Sequence, residues 1–121
     1  MSRVKIENNQ LIITMQGARK FFALRSEVQI HLENITGVKS GLAWKELPNT
    51  LDKRLGANIN SFYYGGYFCQ EGRNVFYDLK RKEDAVVISI KDESFDTVVI
   101  GVEDAEAAVE LIEQALNERK A

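Results

Sequence analysis

Few side chains in this sequence could carry chemistry, and their spacing limits what kind. His31 is the only histidine. It falls on the polar side of an alternating run in which Val28, Ile30 and Leu32 share the apolar side. A lone imidazole does not build the multi-ligand shell of a zinc site. A Ser-His-Asp triad draws on residues far apart in sequence, but no Gly-x-Ser-x-Gly elbow accompanies this histidine. His31 is therefore expected at a surface or strand edge. Cys69 is the only cysteine, so no internal disulfide can form. It has no cationic neighbour and no helix start beside it, so it reads as a buried structural thiol. Asp92, Glu93 and Asp96 crowd one turn but offer too few oxygens for a calcium loop. They are expected to accept backbone N–H bonds in a solvated turn. Lys80-Arg81-Lys82 is followed at once by Glu83-Asp84, which offsets its field and suggests a charged hairpin tip. Gly65-Gly66 matches neither phosphate-binding pattern and is expected to bend or bulge a strand. No catalytic residue, metal ligand or cofactor site emerges, and the chain reads as a non-enzyme.

The segment that invites a binding role is Phe62-Tyr63-Tyr64-Gly65-Gly66-Tyr67-Phe68. It holds five of the eleven aromatic residues. Side chains alternate along a strand, so Tyr63, Tyr64 and Tyr67 cannot all share one face with Phe62 and Phe68. Two readings stand. Either both faces of this strand are covered within one chain, by the 42–55 segment, or the surplus aromatics meet a partner. Tyrosine suits sites that are apolar at one end and wet at the other. Apolar residues also fall on what alternation makes the outer face of other strands: Ile12, Phe21 or Phe22, Phe76, Val87 and Val99. Together they suggest a sheet covered by a second copy or another protein. Phe62, Tyr63, Tyr64, Tyr67 and Trp44 are the candidate partner-binding residues.

The whole-chain properties agree with a binding module. One domain, 1–121, is expected, with 45% apolar and 28% charged residues, which argues against disorder. The net charge is −2 and the pI about 5.5. A nucleic-acid binder needs a basic surface to displace counterions, and an anionic membrane asks for the same. Neither partner is expected. No signal-peptide pattern opens the chain and no apolar run approaches a membrane span, so the expected location is cytoplasmic.

The elements that would position these residues are mostly strands. Val4–Glu7 ends at the turn pair Asn8-Asn9, and Leu11, Ile13 and Met15 alternate after it. Further strands are expected over 21–24, 28–32, 35–38, 62–70, 74–79, 85–91 and 97–102. Between Leu42 and Gly56, Trp44, Leu47, Leu51 and Leu55 recur at helical spacing. Pro48 interrupts them, so a short helix from Asn49 to Leu55 is expected, with a loop pinned by Trp44 as its rival. The clearest helix is about 104–120. Asp104 caps it, and Ala105, Ala108, Val109, Ile112, Ala115 and Leu116 form its apolar stripe. The last two strands are expected to form an antiparallel hairpin with Ile88 opposite Ile100, Val86 opposite Val102 and Ile90 opposite Val98.

This order resembles the pleckstrin-homology arrangement of antiparallel strands followed by one C-terminal helix. Four elements are similar to those of a group of small bacterial PH-like proteins: Gly66-Tyr67-Phe68, Val75–Asp78, Asp92–Asp96 and Val102–Val109. The resemblance implies a mainly β fold, a PH-like partly open barrel or sandwich of antiparallel strands capped by an amphipathic helix. It implies no biochemical role, because its motifs are structural. Phosphoinositide-binding PH domains carry a basic cluster on their first long hairpin. The comparable stretch here has only Arg19, Lys20 and Arg25.

These readings converge on a non-catalytic binding or self-association module that uses another protein or a second copy. The alternative is a small-molecule or lipid carrier with an apolar pocket near Trp44 and the 62–68 run. Vesicles containing anionic phosphoinositides are expected not to retain the protein at physiological salt, given its acidic balance. Saturable, headgroup-selective binding in a flotation assay would contradict this.

Overall fold

The computed structural model describes residues 3–14, 27–41, 52–59, 63–70, 72–80, 83–93 and 95–120, with 52–59 and 63–70 described as backbone and strand pairing. Strands β1 (Arg3–Glu7) and β2 (Gln10–Thr14) form a hairpin closed by Asn8 and Asn9. Both asparagines have positive φ, 52° and 61°. Two left-handed residues in succession match the twist of the flanking strands, and asparagine tolerates that conformation better than most residues. Strand β3 (Glu27–His31) pairs antiparallel with β2, setting Leu11 opposite Ile30 and Ile13 opposite Val28. All four are buried on one face of this three-stranded sheet. The expected strand over 21–24 lies outside the described residues.

A short 3₁₀ turn, η1 (Leu32–Asn34), carries the chain into a second sheet. Its strands are β4 (Ile35–Ser40), β5 (Asp52–Ile59), β6 (Tyr63–Gln70), β7 (Arg73–Lys80), β8 (Asp84–Ile90) and β9 (Thr97–Val102). Their order across the sheet is β4-β8-β9-β7-β6-β5. Strand β9 thus fills the slot between β7 and β8. The chain reverses once between β7 and β8 and again between β8 and β9. A strand placed back beside β7 after two reversals must run parallel to it, and β7·β9 is a parallel pair. The expectation of antiparallel strands throughout fails at this pair. Thr97–Val102 is buried at five of its six positions, the near-continuous apolar pattern of a strand covered on both faces. No closed barrel forms among the described strands.

The β8–β9 hairpin is antiparallel as expected, but its register differs by two residues. Ile88 stands opposite Val98, Val86 opposite Ile100 and Asp84 opposite Val102. A two-residue displacement keeps every side chain on its face, and Val86, Ile88, Ile90, Val98, Ile100 and Val102 are all buried in one core. The cause lies in the connection. Phe95 is drawn into the core, its ring centroid 6.2 Å from that of Phe76. Asp96 is fastened to the start of β7: its N–H donates to the Asn74 carbonyl at 2.7 Å, and its Oδ2 accepts from the Asn74 N–H at 2.9 Å. The Ile90 N–H donates to the Asp96 carbonyl at 2.9 Å, which closes the turn.

Two further expectations are corrected. The helix from Asn49 to Leu55 is not formed, because Asp52–Ile59 is strand β5, paired with β6 from Asp52 opposite Cys69 to Ile59 opposite Tyr63. The three-four-four spacing of Trp44, Leu47, Leu51 and Leu55 is a weak local preference, and cross-strand hydrogen bonds override it. The bulge expected at Gly65-Gly66 is also absent from the β6·β7 ladder, whose register runs unbroken from Tyr63 to Gln70. The irregularity falls on β5, between Lys53 and Leu55.

The helix α1 (Ala105–Lys120) follows the expected pattern. Asp104 caps it, its Oδ1 accepting from the Ala107 N–H at 3.1 Å. Ala105, Ala108 and Ile112 are buried in one cluster with residues of both sheets, and Val109, Ala115 and Leu116 pack at its margin. The core is therefore three-layered in origin: Leu11, Ile13, Val28 and Ile30 from the small sheet, the inner residues of β7, β8 and β9 from the large one, and the helix stripe. Ile112→Asp would put a carboxylate where no surface is exposed. It is expected to lower stability by roughly 3–5 kcal/mol in urea or thermal melts. Unchanged melting would show that the helix is not packed in this way.

Candidate functional site

The polar residues singled out by the sequence are spread over the molecule rather than gathered. His31 is exposed on β3, its Nδ1 3.4 Å from Nε2 of Gln10 on the neighbouring strand, as expected for an edge residue. Asp96 and Glu93 accept hydrogen bonds in the β8–β9 turn, Glu93 from Nδ2 of Asn34 at 3.1 Å. That contact, with the Lys91 N–H bonded to the Asn34 carbonyl at 2.8 Å, ties the turn to η1. The carboxylates expected in a solvated turn are thus partly used as struts. Among the described residues no three His, Cys, Asp or Glu side chains come together as a metal-binding set. Among the described helices none is long and apolar enough to cross a membrane.

One polar residue was not anticipated. Asp78 is wholly buried, on the inner face of β7 between Gly65 of β6 and Ile100 of β9 across the ladders. It is engaged in a polar contact within the chain. Burying a carboxylate is costly unless it is so engaged. The signal in the sequence was available: Asp78 is the one charged residue inside the run Val75-Phe76-Tyr77-Asp78-Leu79, whose other members are buried on both faces. Asn74 is a second internal polar feature, with its Oδ1 buried and making no hydrogen bond.

The aromatic run lies on β6, between β5 and β7. The register sets Tyr63 opposite Lys80, Tyr64 opposite Leu79 and Tyr67 opposite Phe76. The candidate residues Tyr63, Tyr64 and Tyr67 are described by backbone and pairing alone. Trp44 and Phe62 lie outside the described residues, and so does a pocket near them.

The outer-face argument is corrected in part. Phe76 belongs to the inner core, and Ile12 and Val99 are buried within one chain. On the outer face of the large sheet, Val75, Tyr77, Leu79, Ala85 and Val99 form a second buried cluster, with Val87 at its margin. These residues are not a surface waiting for another molecule. Alternation in β7 and β9 placed apolar residues on both faces because both faces are interior. Phe21 and Phe22 lie outside the described residues.

Strands β4 and β5 end the large sheet. Among the described residues, β5 pairs only with β6 and β4 only with β8. Each end strand therefore has one row of N–H and C=O groups with no strand partner among the described residues, and such rows are templates for another chain. Strand β5 is eight residues long and lies next to the tyrosine-bearing strand. Its charges, Asp52, Lys53 and Arg54, and its irregularity sit in its first half. The second half, Leu55 to Ile59, is uncharged and includes Gly56 and Ala57. Comparison with protein-family models, with curated proteins and with solved structures gives no match.

The joint between β7 and β8 can be tested independently. Oε1 of Glu83 accepts from the Lys80 N–H at 2.8 Å, and the Glu83 side chain lies over Gly101 of β9, where an added Cβ would collide with it. Gly101→Ala is expected to displace this carboxylate and cost about 1–2 kcal/mol. Combined with Glu83→Ala it is expected to cost less than the sum of the two changes. Strict additivity in denaturant titrations would show that the two residues do not interact.

Proposed function

We propose that this chain is a non-catalytic, PH-like binding module that associates with a second copy of itself through the β5 edge. The order of strands followed by a single C-terminal helix supports the PH-like reading, together with the four motif-like segments. The parallel β7·β9 pair is its own variation on that plan. The observation that carries the functional reading is β5: an eight-residue end strand, uncharged over its second half, beside a strand bearing three tyrosines. Edge strands are generally blunted by charge, proline or bulges. Here those devices stop at Leu55. Antiparallel pairing of β5 with its copy about a twofold axis would continue the sheet across two chains and satisfy both rows of backbone groups. Tyrosines one strand inward would then flank the joint.

Light scattering over a range of concentrations is expected to show a monomer–dimer equilibrium. Tyr64→Ser is expected to weaken it while leaving the far-ultraviolet circular dichroism of the chain intact. A chain that stays monomeric at millimolar concentration would refute self-association.

A further inference from the structure

The opposite end of the sheet has a different character. Strand β4 and helix α1 run side by side, and two hollows mark the seam between them. One, of about 340 Å³, lies at Gly37 and Val38 against Glu113, Leu116 and Asn117. The other, of about 250 Å³, lies at Ser40 and Gly41 against Ala105 and Glu106, and Glu83 and Asp84 close its end. The helix thus runs antiparallel to the strand, and the hollows lie along one line. The five residues from Gly37 to Gly41 give this line a length of about 16 Å. Its floor is apolar where the half-buried Val38 and Leu116 meet. Gly37 leaves it open, since a Cβ there would meet nothing within 4 Å. One wall is the backbone edge of β4, which among the described residues pairs only with β8. The other is acidic: Glu106 and Glu113 line the hollows, and the exposed Glu110 falls between them at helical spacing, beside Val109 and Leu116. Among the described residues the ion pairs join Lys5 to Glu7 and Arg119 to Glu33 and engage none of the three.

We infer that this seam is a second binding site, which takes an extended, lysine- or arginine-bearing peptide segment as an added strand on β4. Three features select that occupant. A strand edge satisfies a main chain, not a helix or a small molecule. A narrow apolar floor accepts one side chain in two of an extended peptide, because alternate side chains point the same way. The remaining side chains face the acidic stripe, where a cation is favoured and a carboxylate is repelled. The site is separate from β5, at the other end of the sheet order.

The test uses the full chain and a fluorescein-labelled peptide of alternating lysine and valine, six residues long. Anisotropy is expected to report saturable binding that weakens as salt rises. Amide shifts in nuclear magnetic resonance spectra are expected at Gly37–Gly41 and along Glu106–Asn117. The same peptide with glutamate in place of lysine is expected to bind about tenfold more weakly or worse. Glu110→Lys with Glu113→Lys, both exposed positions, is expected to weaken the lysine peptide by a similar factor without changing the melting temperature. N-methylation of the peptide on alternate residues removes its main-chain donors, and one of the two alternating sets is expected to abolish binding. Equal binding of the glutamate peptide, indifference to both methylated sets, or shifts confined elsewhere would overturn the inference. So would concentration-dependent shifts at β4 with no peptide present, which would assign the seam to a second copy. Loss of dimerisation in the Tyr64→Ser variant with peptide binding retained would keep the two sites distinct.

Discussion

The placement of β9 between β7 and β8 is the constraint on which the rest of the structure depends. It makes β7·β9 parallel, it puts β9 at the centre of the large sheet, and it buries that strand on both faces. Both buried clusters pass through it: Val98, Ile100 and Val102 contribute to the inner core, and Val99 contributes to the outer cluster. The fastening of Asp96 to Asn74 and the insertion of Phe95 beside Phe76 hold the strand at one register against β7. A change in that register would move the helix as well, because α1 leaves directly from the end of β9 through the Asp104 cap.

Much of this was legible in the residues. The helix stripe from Ala105 to Leu116 reads at a period of 3.6 and is the set that packs on the core. The Asn8-Asn9 turn reads from residue type, because few other residues accept two successive positive φ angles. The apolar face of β8 and β9 reads at period two. What could not be read was which strand lies beside which. Periodicity assigns a face but not a neighbour, so the parallel pair and the two-residue shift of the hairpin escaped it. For the same reason Phe76 and Val99 looked outward-facing in the sequence. Alternation cannot tell a solvated face from a second interior. The 52–59 strand was missed because its leucine spacing mimics a helix while its pairing partner, β6, is distant in local preference.

The candidate binding residues were legible only as a type. Tyrosines in a strand suggest a contact, and the register sets Tyr64 opposite Leu79 and Tyr67 opposite Phe76. The more informative features are of the backbone: two end strands, one beside the tyrosines and one beside an acidic helix stripe. Such edges have no sequence signature of their own. They follow from the sheet order, which in turn follows from where β9 sits. The central packing therefore determines what the molecule can present to another chain.

The most direct measurement of this account is amide hydrogen exchange resolved by residue on dilute, monomeric protein. Amides of β9 are expected to exchange slowest, together with those of β7 that face it, because both are paired inside the sheet and buried. Along β4 and β5, amides facing the neighbouring strand are expected to be protected, and those facing away are expected to exchange orders of magnitude faster. Uniformly strong protection along β4 and β5 in the monomer, or fast exchange in β9, would contradict it.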